Sequence, residues 1–76
     1  MEPVVYEDLV WQSTDRMSGA PCIYGTRIRI SDLFDWLREG GTVMSFVETY
    51  PHVPMDRVRR LLMLAESDLL RHVNAA

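Results

Sequence analysis

The spacing of apolar and polar positions divides this chain into a β-leaning first third and a helical remainder. Two apolar clusters, Val4-Val5-Tyr6 and Leu9-Val10-Trp11, carry the β-branched and aromatic residues of one or two short strands. Residues 13–18, polar apart from Met17, read as a loop. Pro21-Cys22-Ile23-Tyr24 and Arg27-Ile28-Arg29-Ile30 then alternate around Gly25-Thr26. That pattern predicts a hairpin closed by a two-residue II′ turn, with glycine supplying the positive φ. Its register sets Ile23 opposite Ile28 and Pro21 opposite Ile30 on one face. Cys22, Tyr24, Arg27 and Arg29 fall on the other, where Tyr24 is placed to cover the Arg27 guanidinium.

From residue 31 the apolar period lengthens to that of helices. Ser31 is the expected N-cap of the first helix, with Asp32 and Asp35 favourably placed near its start. Leu33, Trp36 and Leu37 line one stripe with Phe34 at its edge, and Gly40-Gly41 stops the helix. Thr42 caps a second helix with the stripe Val43, Phe46, Val47 and Tyr50, and Pro51 ends it. A third and longest helix is expected from about Pro54 to His72, with Pro54 in its first turn. Its main stripe is Val58, Leu61, Leu62, Ala65, Leu69 and Val73. The order of short helix, glycine turn, short helix, break and long helix fits a tri-helical helix-turn-helix with the third helix as recognition helix. Three-helix bundles without a nucleic-acid role share this pattern. The expected architecture is a single, mostly α domain, with residues 1–30 a β-rich arm and hairpin and residues 31–76 the tri-helical unit.

Composition changes the picture in three ways. First, 76 residues with 47% hydrophobic content hold more apolar surface than so small a core readily buries, which points to a homodimer. Second, one cysteine, Cys22, excludes an internal disulfide framework. No apolar run reaches membrane-span length and the start of the chain is acidic, so a cytoplasmic protein is expected. Third, the net charge of −3 argues against strong non-specific DNA binding. Every basic side chain is arginine, the residue suited to bidentate phosphate and carboxylate contacts.

The charged and apolar residues of the third helix are the leading candidates for function. Arg57, Arg59 and Arg60 lie in its first two turns, where a recognition helix meets DNA. The alternatives are a solvated face with an Asp56–Arg60 pair and contact with an acidic partner. Met63, Leu64 and Leu70 fall outside the main stripe: either Trp11 and the N-terminal strands cover this helix within the subunit, or these residues, with Trp11, belong to a dimer or toxin interface. His52 and His72 have no second ligand at metal spacing, and Cys22 has no partner thiol. Asp32, Asp35 and Glu39 are explained by helix-dipole placement and solvation. No nucleophile–base set, phosphate loop or cofactor fingerprint occurs, so a non-enzymatic chain without metal or cofactor is expected.

The ordered combination Ser18-Gly19-Ala20-Pro21-Cys22-Ile23-Tyr24-Gly25-Thr26-Arg27-Ile28, then Gly40, then Tyr50-Pro51 before an apolar last helix resembles domain-of-unknown-function family 433. The resemblance spans about residues 9–66 and includes the family's Gly-x-Pro, Gly-Thr-Arg and Leu-x-x-Gly signatures. It implies a homeodomain-like tri-helix with an N-terminal β element. It also implies a VapB-like antitoxin of a type II toxin–antitoxin pair, which neutralises a PIN-like ribonuclease toxin and binds its own operator DNA. Two positions depart from the family's habit. Pro54 stands where Ser or Thr commonly caps the last helix, and Arg59-Arg60 stand where small or apolar residues are common. The rival expectations are a stand-alone helix-turn-helix regulator and a protein-interaction module that binds no DNA.

Overall fold

The computed structural model describes residues 4–13 and 19–75. Six elements follow in order: β1 (Val4–Tyr6), β2 (Val10–Gln12), β3 (Cys22–Ile23), α1 (Ile30–Arg38), α2 (Val43–Thr49) and α3 (Met55–Ala75). The chain is thus mostly helical with a short antiparallel β element at its N-terminal end. The strands form a sheet in the order β1-β2-β3, with Tyr6 opposite Val10 and Trp11 opposite Cys22. The β1–β2 turn places both Glu7 and Asp8 at positive φ, and the Leu9 N–H closes it on the Tyr6 carbonyl. Leu9 then leaves the turn as a buried core residue. Most of the loop expected at residues 13–18 lies outside the described residues; Ser13 itself is buried.

The second hairpin keeps the expected register, but its turn differs. Ile23 N–H donates to the Ile28 carbonyl, Ile30 N–H donates to the Pro21 carbonyl, and Cys22 bridges Arg29. Gly25 has φ of 80°, yet the closing bond runs from Thr26 N–H to the Ile23 carbonyl. The turn is therefore Ile23-Tyr24-Gly25-Thr26, with glycine in its third position as a type II turn requires, not a II′ turn centred on Gly25-Thr26. The reason lies in Thr26, whose buried hydroxyl donates to the Ile23 carbonyl at 2.9 Å and accepts from Ile28 N–H at 3.0 Å. One side chain thus bridges the loop and widens it to four residues.

Helix α1 begins two residues earlier than its Ser-Asp signal suggests. Arg29, not Ser31, is the N-cap; its N–H donates to the Asp32 carboxylate, and its guanidinium grips the same carboxylate. That hydrogen bond and the neighbouring charge raise the Arg29 pKa above its ordinary value. The helix ends in a Schellman motif. Gly40, at φ of 98°, donates to the Leu37 carbonyl, and Gly41 N–H donates to the Trp36 carbonyl. Thr42 caps α2 as expected, accepting from Ser45 N–H while Ser45 Oγ accepts from Thr42 N–H. Ser45 Oγ also accepts from Trp36 Nε1 at 3.0 Å, which ties α1 to the start of α2.

The core is one cluster: Leu9, Ile23, Leu33, Phe46, Val53, Val58 and Leu61. β3 and all three helices contribute to it, with Leu9 from the β1–β2 turn, and Trp36 and Tyr50 set their rings around Phe46. Val53 is not legible in the sequence as a core residue. It sits between helices, where the Tyr50-Pro51-His52-Val53 turn folds it inward, with Val53 N–H bonded to the Tyr50 carbonyl.

Helix α3 departs most from its predicted pattern. Val58 and Leu61 are buried and Leu62 and Ala65 half-buried, but Leu69 and Val73 at the far end of the same stripe are 64% and 63% exposed. The helix runs about 31 Å at 1.5 Å per residue, while the molecule measures 37 × 30 × 20 Å. The sheet and the two short helices cover its first half only. Among the described residues, no helix is long and apolar enough to cross a membrane.

Candidate functional site

Eight arginines could form a binding surface, and the fold sorts those it describes into bound and free. Arg29, Arg38 and Arg71 each pair with an aspartate three residues away: Asp32, Asp35 and Asp68. Arg57 is held inside the fold. Its guanidinium donates to the Tyr24 carbonyl at 2.9 Å and lies 5.5 Å from the centre of the Tyr24 ring. The Tyr24 ring in turn packs against Trp11, whose Nε1 donates to the Thr26 carbonyl at 2.7 Å. The cation over Tyr24 is therefore Arg57 and not Arg27, because α3 crosses the hairpin loop with that side of its first turn.

This arrangement assigns Trp11 and Arg57 to one structural strut that fixes the hairpin on α3. Trp11, a candidate interface residue by sequence, is half-buried within its own chain. Replacing Arg57 by Met is expected to cost about 1–2 kcal/mol, because the half-buried Tyr24 carbonyl loses its donor and the ring loses its cation. Arg59→Met, on an exposed site, should stay within about 0.5 kcal/mol. Urea midpoints of the two variants check the contrast; equal midpoints would return Arg57 to the surface.

Arg27, Arg59 and Arg60 are exposed and have no acidic partner among the described residues. The expected Asp56–Arg60 pair is not formed. At about 100° per residue, Asp56 points between Arg59 and Arg60, so the free face of the first turns of α3 is two arginines around one carboxylate. Met63, 66% exposed, continues that face. Leu64, also predicted for an interface, is half-buried on the flank that meets the β1–β2 turn. Glu7 and Leu9 from that turn, with Arg60, Met63 and Leu64, line a groove of about 230 Å³. That volume is below the roughly 300–1,000 Å³ of pockets that engulf a small molecule.

Leu70, the fourth interface candidate, is 52% exposed, and the structure adds Leu69 and Val73 beside it. Sequence reasoning places those two in the buried stripe because their spacing from Val58 is right. No signal in the spacing tells how far along the helix its cover extends. Among the described residues, no group of three or more histidine, cysteine or acidic side chains is arranged to hold a metal ion.

No curated protein and no solved structure matches this chain. The family described as proteins of unknown function (DUF433) matches residues 11–65. This stretch starts at the tryptophan of the strut, includes the Gly25-Thr26 loop and all of α1 and α2, and ends at Ala65, where α3 leaves its cover. The chain belongs to the DUF433 family.

Proposed function

We propose that this chain is the antitoxin of a type II toxin–antitoxin pair and neutralises a PIN-like ribonuclease by stoichiometric occlusion. The observation that carries this reading is the pair of exposed arginines, Arg59 and Arg60, left without carboxylates of their own and edged by exposed Met63. A ribonuclease of that class works through clustered carboxylates that hold a divalent metal. A guanidinium satisfies carboxylates through two parallel hydrogen bonds and competes with the metal for them. Met63 and the groove beside it offer apolar contact around the charged centre. Recognition would rest on local fit and not on long-range steering, since Asp56 and the net charge of −3 weaken attraction to carboxylates at a distance.

Co-expression with the adjacent gene product checks the reading. The wild-type chain should restore growth and co-purify with that product. The Arg59→Glu, Arg60→Glu double variant should do neither while keeping its helical spectrum. A neighbour that is harmless alone, or full rescue by the folded double variant, would overturn it.

Operator binding is the second reading, favoured by the same arginines in the first two turns of a tri-helical unit whose third helix would enter the major groove. Asp56 between them opposes phosphate, so useful affinity requires two copies or the toxin complex on paired half-sites. A salt titration on the chain's own upstream DNA measures it. If both arginines touch phosphate, replacing them by Ala flattens the slope of log affinity against log salt by about two per subunit. Equal affinity for upstream and random DNA leaves the tri-helix purely architectural.

A further inference from the structure

We propose that the distal turns of α3 form the seam of a two-fold homodimer, with Leu69, Leu70 and Val73 of one copy packed against the same residues of a second. This surface is separate from the proximal arginines and independent of the antitoxin reading.

The placement of these residues is the first argument. At about 100° per residue, Leu69, Val73 and Leu70 span an arc of roughly 100° on one side of the helix. That is the width of the apolar stripe by which a helix meets its core. The stripe is continuous with Val58, Leu61, Leu62 and Ala65, which the chain's own core covers. The cover ends and the stripe does not.

Size gives the second argument, and it selects the occupant. A compact chain of 8.8 kDa exposes about 4,800 Å². This one exposes 5430 Å², a surplus of roughly 600 Å². That surplus belongs to the whole chain and sets an upper bound of about 1,200 Å² on what two copies bury by restoring compactness, the lower end of the range for specific, stable interfaces. The radius of gyration agrees: it is 13.1 Å, against about 11.4 Å for a compact chain of this length. A second copy is therefore large enough to absorb what the fold leaves bare.

Charge gives the third. Arg71 and Asp68 neutralise each other on the reverse side of the helix. At about 100° per residue Glu66 lies on the seam's own side, one turn before Leu69, and His72 at its edge, so the apolar contact is confined to residues 69–73. Antiparallel crossing of two α3 arms about a two-fold axis midway between Leu69 and Val73 sets Leu69 of each copy against Val73 of the other with the two Leu70 side chains beside the axis, as an isologous interface requires, and leaves Glu66 outside the contact. It also opposes the two helix dipoles favourably.

Light scattering on a sizing column, with the full chain alone at tens of micromolar, is the test. The wild type is expected at twice 8.8 kDa. The Leu69→Glu, Val73→Glu variant is expected to be monomeric with an unchanged helical spectrum, because both side chains are solvent-exposed in a single chain. Its dissociation constant should rise at least about 30-fold, the effect of losing one central anchor. A second measurement does not depend on that variant's folding: Leu70→Cys should form a covalent dimer on mild oxidation, whereas wild-type Cys22, which is buried, should not. A monomeric wild type, a double variant that stays dimeric, or a Leu70→Cys chain that does not cross-link would overturn the proposal. Toxin rescue by a chain shown to be monomeric would overturn the dimer while leaving the antitoxin reading in place.

Discussion

Phe46→Ala is expected to abolish cooperative folding. The Phe46 ring is 1% exposed and lies at the centre of the core cluster. Trp36 meets it edge-on at 5.8 Å between ring centres, and Tyr50 lies at 5.0 Å. Emptying such a site costs about 3–5 kcal/mol, from lost transfer energy and the cavity left behind. A core of this size rarely supplies more than about 3–5 kcal/mol in total. Loss and supply are equal, so the variant should show no urea transition and no near-ultraviolet tryptophan signal. Phe46→Leu keeps most of the volume and should cost under about 1.5 kcal/mol. A cooperative transition in the alanine variant, displaced by less than about 1 kcal/mol, would mean the three rings do not organise the core. Both variants must be compared at one protein concentration, since association adds concentration-dependent stability.

Gly41→Ala is the second large effect, and its cause is contact rather than conformation. A Cβ at residue 41 would fall on Cδ1 and Nε1 of Trp36 and 2.8 Å from the Trp36 carbonyl oxygen. Trp36 cannot swing away freely, because its Nε1 is bonded to Ser45 Oγ and its ring packs on Phe46. The carbonyl is fixed by the Schellman bond from Gly41 itself. We expect a loss of about 2–3 kcal/mol, as for overpacking of a well-filled core. That corresponds to a fall in Tm of about 10–20 °C for a domain of this size. Gly40→Ala is the informative comparison. Gly40 has φ of 98°, but a methyl group on its Cα would meet nothing within 4 Å. Its cost is therefore backbone strain alone and should be about 1–2 kcal/mol, that of placing an L side chain at positive φ. If Gly40→Ala proves the more damaging of the two, the Trp36 contact is not what holds Gly41.

The two glycines show how far the sequence can be read. Gly40-Gly41 announces a helix end, and the chain ends α1 there. Only the tertiary structure shows that the two residues do different work, one supplying a left-handed conformation and the other making room for an indole. The hairpin divides the same way. Alternation of Ile23, Ile28 and Ile30 gives the register, because a slip by one residue would turn every one of these side chains to the other face. The turn type is not legible, because it depends on where the Thr26 hydroxyl finds its partners. Ser31 looks like a cap by residue type, yet Arg29 and Asp32 displace it through a local ion pair that propensity does not weigh.

Local rules act over a few residues, and what they govern is legible in the chain itself: three helices, their glycine and proline boundaries, the Thr42 cap, the β-leaning start and the family to which the chain belongs. Which side chains are free depends on contacts between segments distant in sequence. Arg57 and Tyr24 are 33 residues apart, and their contact turns one of three adjacent-looking arginines into part of the scaffold while Arg59 and Arg60 stay in solvent. The same holds for the apolar stripe of α3. Its period is set by the helix, but the length of its cover is set by the extent of the sheet and of α1 and α2. That limit divides Val58 and Leu61 from Leu69 and Val73, and no periodicity can encode it.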